Sequence, residues 1–301
     1  MALDTNVRIS AARWGAVGLL VVAALGVGTL VAQAYEHASP IPHSGAAAPV
    51  PTFTLGVQTP TPTPTPTRVF DRTAERFLAV GTGAGSNVWW RGVAGACGGT
   101  APVVERSTDG GETWTNVTPP DAAQLASIEP FDQTEADLVV GGGVTCEPQA
   151  LRTFTQGEFW EPSADVLATS SFITPGDPAT VGTPAGQIAA PCAHAQGMRA
   201  VGYQRAIVCE GVAYASNDGG TWLALLAPDA VAVAIDGDGV LVAHVADGCA
   251  GLTLTRYASA DNAGPAPARC AEGIDVALPS AIASASGGTI VWSNDAVILV
   301  P

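Results

Sequence analysis

One eight-residue phrase returns along this chain, and it constrains the fold more than any other feature. Residues 107–114 read STDGGETW, with Ser107, Asp109, Gly111 and Trp114 at fixed offsets. Residues 153–160 read TFTQGEFW: Thr153 replaces the serine, Thr155 the aspartate, and Gly157 and Trp160 keep their places. Residues 216–222, SNDGGTW, supply Ser216, Asp218, Gly220 and Trp222 with one residue fewer before the tryptophan. Ser259 and Asp261 in SADNAG (259–264) make a weaker fourth copy, and SND (293–295) is the faintest. The copies start 46, 63, 43 and 34 residues apart. Recurrence at such a period marks an array of supersecondary units.

The chemistry of each copy is that of a turn. Ser and Asp side chains bond the backbone N–H groups of a tight turn, glycine takes a positive φ, and the tryptophan packs between sheets. Strand-like runs such as ADLVVGGGV (136–144) and ALRTFT (150–155) lie between the copies. Val231–Ile235 and Val240–Ala246 flank Asp236-Gly237-Asp238-Gly239 as a hairpin. No stretch of helical period stands out after residue 68. A unit of about 45 residues with four short strands is a propeller blade. The expectation for 68–301 is an all-β propeller of about five blades, with six or seven possible. The 63-residue step is long enough to hide an extra strand pair or half a blade.

The octet S-x-D-x-G-x-x-W resembles the Asp-box, or BNR repeat, of sialidases, sortilin-type receptors and photosystem II assembly factors. STDGGETW fits the motif fully and the next two copies in part. The resemblance spans about residues 68–301 and implies a blade type, not an activity. It implies that the octet joins the third and fourth strands of a blade, on the face away from the ligand site. Ser107, Asp109, Gly111, Trp114 and their counterparts are therefore expected to be structural.

Six cysteines accompany the repeat. Cys97 and Cys249 each lie ten residues before the octet serine; Cys146 and Cys209 lie seven before theirs. By the implied topology they sit where the second strand turns into the third, on the opposite, binding face. Proximity suggests Cys192–Cys209 and Cys249–Cys270, leaving Cys97–Cys146 across neighbouring blades; six cysteines allow fifteen pairings.

The sialidase resemblance also sets a test. That family uses three arginines clamping a carboxylate, a tyrosine–glutamate nucleophile pair and an aspartate. Here the F/Y-R-I-P motif is absent; Arg106 and Arg152 precede octets, and Tyr214 and Tyr257 lie two residues before them. Arg91, Arg199, Arg205 and Tyr203 remain without a pattern. No histidine, cysteine or carboxylate spacing points to a metal, the GTGAG run (81–85) lacks a following helix and lysine, and no cofactor is implied. Asp236 and Asp238 open like a calcium loop, but Leu241 stands where glycine is required. Trp89-Trp90 sends one ring to each side of its strand.

The N-terminal part fixes location. Residues 14–32 carry no charge over nineteen residues, about 28 Å as a helix and close to a bilayer core. Arg8 and Arg13 precede the run, which puts residues 1–13 in the cytoplasm and the rest outside. A single-pass anchor at 14–34 is favoured over a signal peptide cleaved near Ala34, because the run exceeds a usual h-region. Residues 35–67, ending in TPTPTPTPT (59–67), form an extended linker. The net charge is −15, with 27 acidic against 12 basic residues and no lysine. Such a surface repels phosphate backbones and excludes nucleic-acid binding. The expected function is a non-catalytic, membrane-anchored interaction module for a protein or a cell-envelope glycan. The alternatives are a sialidase-type hydrolase and a passive cell-surface spacer.

Overall fold

The computed structural model describes residues 71–81, 86–258, 266 and 268–301, besides Leu30, Ala32 and Gln33, which are helical. The rest of the expected span 14–34, the linker, and the octet at Ser259 and Asp261 lie outside the described residues. Among those described, no helix is long and apolar enough to cross a membrane.

The chain from Asp71 forms six antiparallel sheets, each from one contiguous segment. Blade 1 holds β1 (Arg76–Val80), β2 (Trp89–Val93), β3 (Val103–Ser107) and β4 (Thr115–Asn116). Blade 2 holds β5 (Ala122–Pro130), β6 (Ala136–Gly142), β7 (Glu147–Thr153) and β8 (Glu161–Pro162). A short helix α1 (Ala164–Thr169) leads to blade 3, made of β9 (Phe172–Ile173), β10 (Thr180–Thr183) and β11 (Gly186–Ala189). Blade 4 holds β12 (Ala195–Val201), β13 (Gln204–Cys209), β14 (Val212–Ser216) and β15 (Leu223–Ala224). Blade 5 holds β16 (Ala230–Asp236), β17 (Gly239–His244), β18 (Gly251–Ala258) and β19 (Arg269–Glu272). Blade 6 holds β20 (Ser280–Ala285), β21 (Gly288–Ser293) and β22 (Ala296–Val300).

The ring has six blades, not the five expected, and the 63-residue step is the reason. That step contains blade 3. In it α1 occupies the place of a first strand, packing Val166 against Val139 and Ala150 of blade 2. The strands β9, β10 and β11 then run as a second, third and fourth strand would. Thr183, the last residue of β10, takes the position of Ser107, Thr153 and Ser216 at the ends of β3, β7 and β14. Its hydroxyl accepts the N–H of Ala185 at 3.2 Å, two residues on. The turn has only Pro184 and Ala185 between the strands, so no octet could be read from it.

Six apolar clusters hold the ring, one at each junction. Phe77, Trp90 and Val104 meet Leu125 and Leu138 between blades 1 and 2. Ile173 and Val181 meet Met198 and Ile207 between blades 3 and 4. Val233 and Val242 face Ala206 and Val208 between 4 and 5, and Leu252 and Leu254 face Ile282 and Val291 between 5 and 6. The ring closes where Ile290 and Trp292 of blade 6 pack on Leu78 of blade 1. The tryptophan pair obeys strand alternation. Trp90 is fully buried at the 1–2 junction, edge-on to Trp160, while Trp89 packs at the 6–1 junction. Alternating faces of one strand thus serve two junctions.

Candidate functional site

The octets join third and fourth strands: STDGGETW lies between β3 and β4, TFTQGEFW between β7 and β8, and SNDGGTW between β14 and β15. In the first, Ser107 Oγ donates to Asp109 Oδ1 (2.7 Å) and accepts the Gly111 N–H (2.8 Å). Asp109 in turn accepts the N–H (2.9 Å) and hydroxyl (2.6 Å) of Thr113. These bonds, led by the Thr113 hydroxyl, hold its pKa down at about 2. In the second, Thr153 Oγ1 accepts the Gly157 N–H (3.0 Å) and Thr155 Oγ1 the Phe159 N–H (3.0 Å). A threonine hydroxyl therefore performs the aspartate's task. Trp160 donates to Val117 O of blade 1 and Trp222 to Ala189 O of blade 3, tying neighbouring blades.

Two expectations about these turns change. In SNDGGTW the positive φ (82°) falls on Gly219, not Gly220. The missing residue shortens the turn, so Asp218 takes the N–H groups of Gly220 and Thr221 itself. The faint copy at Ser293 joins β21 to β22, a second strand to a third, and lies at the opposite end of the blade.

The cysteines occupy that opposite end. Cys97 and Cys249 lie between second and third strands, Cys146 precedes β7, and Cys209 ends β13. They form Cys97–Cys146, Cys192–Cys209 and Cys249–Cys270, as expected. Three bridges are the pattern of a domain that matures outside the reducing cytoplasm.

The cavity on the ring axis is not at the cysteine end. It has a volume of about 380 Å³ and is lined by the C-terminal halves of β1, β5, β12, β16 and β20, with Thr169–Ser171. Those strand ends lead into the first hairpin turns, which share a face with the octets. At the cysteine end of the axis a crevice of about 20 Å³ lies beside Glu75, Arg76 and Gly197. A plug separates the two. Arg199 reaches from blade 4 to the opposite blade 1, donating to Met198 O (2.7 Å) and Arg76 O (3.3 Å) and lying 5.0 Å over the Phe77 ring. Glu75 returns across the axis, accepting the Gly197 N–H at 2.6 Å. Burial pushes Arg199 down to about 10, opposed by Glu75 and Glu129. It remains a cation at neutral pH.

Apolar Leu78, Ile128, Met198 and Ile282 alternate with Ser127, Ser171 and Ser284 along the cavity wall. Its charges are Arg199 and Glu129. Glu129 is exposed to the lumen, where the surrounding walls limit its hydration. The loss of solvent, then the nearby Asp137, push its pKa up to about 7 against the pull of Arg199. Beside the cavity rim, the chain leaving Pro130 meets the second octet. Phe131, Phe154 and Phe159 are 37%, 51% and 73% exposed there. Phe131 and Phe154 pack edge to face, and Arg152, held by Asp137 at 2.7 Å, lies over both rings. Sequence reasoning passed over this shelf, although the two phenylalanines at the variable positions of TFTQGEFW were its signal.

The arginines raised by the sialidase resemblance are dispersed. Arg91 pairs with Glu105 and covers Trp114, and Arg106 bonds Gln156 and Gln133 of blade 2. Arg205 is buried on Ser171. Tyr214 and Tyr257 pack in blade junctions, and Tyr203 is exposed beside the cavity mouth. Asp236 and Asp238 both bind Arg256. Among the described residues no group of three or more histidines, cysteines or carboxylates could hold a metal.

No protein-family model matches the chain, and no curated protein matches it. Solved structures do. "YCF48 bound to D1 peptide" is 15% identical with a TM-score of 0.39, over 73% of this chain and 75% of that one. A mutant of AofleA from Arthrobotrys oligospora is 10% identical with a TM-score of 0.44, over 77% and 88%. "Hadza microbial sialidase Hz136" is 13% identical with a TM-score of 0.34, over 73% and 50%.

Proposed function

We propose that this chain is a non-catalytic, membrane-anchored, extracytoplasmic propeller that docks a protein partner on the face carrying the octet turns. The octets are Asp-boxes in this reading, and the segment 14–34 is the anchor. The observation that carries it is the aromatic shelf of Phe131, Phe154 and Phe159 beside the cavity mouth. Clustered exposed aromatics are a feature of interfaces and a liability elsewhere. Asp132 and Glu158 stand exposed around the shelf, on a chain of net charge −15, so the complementary surface is apolar and basic. Dispersal of Arg91, Arg199 and Arg205 to three unrelated places favours this over a carboxylate clamp.

Site-specific photo-crosslinking tests it. A photoreactive residue replaces Phe159 in the full chain, or Val144, which is fully exposed at the cysteine end of the same blade. The expected result in the producing cell is a discrete protein adduct from position 159 and none from 144. Adducts from 144 alone, or from neither, overturn the proposal.

A further inference from the structure

The axial cavity stands where the ring lacks a strand. In five blades a first strand pairs antiparallel with the second, and the turns between them share the octet face. Blade 3 has no such pair. In chain order α1 precedes β9, but it packs on Val139 and Ala150, in the second and third strands of blade 2, and not on the axis. β9 is therefore the innermost strand of its sheet, beside the first strands β5 and β12. Toward the octet face from β9, the cavity of about 380 Å³ opens against Thr169–Ser171.

The edge that β9 turns away from its sheet is unpaired. Thr174 donates its N–H to Thr180 O at 2.9 Å, so Thr174 and Phe172 point their backbone groups at β10. By alternation Ser171 and Ile173 point theirs the other way. Among the described residues no strand pairs with that edge, and the N–H and C=O of Ser171 and Ile173 meet no partner. Both residues are buried, and buried backbone groups are nearly always paired. The side-chain hydroxyls here are already committed. Thr169 and Ser170 donate to Val166 O of α1, and Ser171 Oγ accepts from Arg205 Nε at 2.9 Å. What this wall offers a ligand is its backbone.

A strand edge is met by a second backbone. Ile128 of blade 2 and Met198 of blade 4 flank the space, and Leu78 and Ile282 line it too, so side chains on both faces of an inserted strand would meet aliphatic surface. Arg199 and Glu129 carry opposite charges and act on each other across the lumen, so the cavity calls for no net charge. The plug at Arg199 makes it blind from the cysteine side. A chain end therefore enters from the octet face, where Phe131 is 37% and Tyr203 75% exposed.

We infer that the axial cavity receives an extended, apolar chain end of the docked partner, which adds to the inner edge of blade 3 as its first strand. This site rests on the docking proposal: the aromatic shelf holds the partner's surface, and the cavity takes its end.

The test uses the full chain and the peptide AVAVAID, the sequence of β16, because a first strand of this ring carries the pattern the space requires. Two controls accompany it: its N-methylated form, which keeps the side chains and loses the backbone donors, and cyclohexanol, which is apolar and has no peptide backbone. In calorimetric titration AVAVAID is expected to saturate one site, and N-methylation to weaken it about tenfold or more. Amide exchange in residues 171–174 is expected to slow about tenfold when the peptide is bound. Ser127→Phe, which fills the cavity from the β5 wall, should weaken binding about tenfold, whereas Phe159→Ala on the shelf should leave it unchanged. Should Ser127→Phe fail to fold, the N-methylated peptide and the exchange rates decide the question on the parent chain. No saturation by AVAVAID, equal binding of either control, unaltered exchange at 171–174, an unaffected folded Ser127→Phe chain, or a loss on Phe159→Ala overturns the inference. A photo-adduct at position 159 without peptide binding removes this site and leaves the docking face; peptide binding without that adduct does the reverse.

Discussion

Glu129 links the cavity wall to pH at the residue scale. In the unfolded chain a glutamate titrates near 4.3, whereas here it is pushed up to about 7. Between these values the folded state holds a proton that the unfolded state has released. Stability therefore falls as pH rises through that window and levels off above it. Glu129→Gln should raise the melting temperature at pH 8 and leave it unchanged at pH 4. An equal shift at both values would mean that the substitution acts through packing and not through charge. The shortened octet makes a second residue-level prediction. Gly219 has φ +82° and an added Cβ would meet Arg205 Nη1 at 2.8 Å, while Gly220 has neither constraint. Gly219→Ala should cost about 1–3 kcal/mol in urea unfolding, and Gly220→Ala should lie within about 0.5 kcal/mol of the parent. The reverse order would restore the alignment read from sequence.

At the scale of elements, legibility followed the length of the signal. STDGGETW was readable because four of its side chains bond within the turn or pack beside it, so its spacing could not drift. The disulfides were readable because that spacing also fixed where second strands end. Blade 3 was not readable. Its turn has two residues, β9 has two, and α1 has only six, too short for a helical period to emerge. The shelf and cavity escaped for another reason. Glu129 is one carboxylate among 27 acids, and only the convergence of five inner strands forms the cavity that it lines. The bridges differ in what they close. Cys97–Cys146 spans 49 residues and joins blades 1 and 2, against 17 for Cys192–Cys209 and 21 for Cys249–Cys270. Loop-closure entropy gives about 4 kcal/mol for the first and about 3 kcal/mol for the others. Paired Cys→Ala variants at 97 and 146 should show the largest drop in urea midpoint. An equal drop for all three would mean that chain entropy is not what separates them.

For the whole molecule, the decisive feature is how the ring closes. Each blade is one contiguous stretch, so no strand of blade 1 completes the sheet of blade 6 among the described residues. Closure rests on side chains: Leu78, Ala281, Ala283, Ile290 and Trp292 form the seam. Trp292 is its largest member, 4% exposed, with its Nε1 donating to Asn294 O at 2.9 Å and the Arg76 guanidinium 4.3 Å over its ring. The other junctions are joined by chain continuity as well, and the 1–2 junction by a disulfide. This seam is then the place where the ring opens first. Trp292→Ala should cost about 3–5 kcal/mol, the range for deleting a large buried aromatic. In hydrogen exchange the same variant should lose protection in β1 and β20 together, while β6, β13 and β17 keep theirs. Simultaneous loss in all six sheets would show instead that the ring unfolds as one unit and that the seam is no weaker than the junctions the chain itself ties.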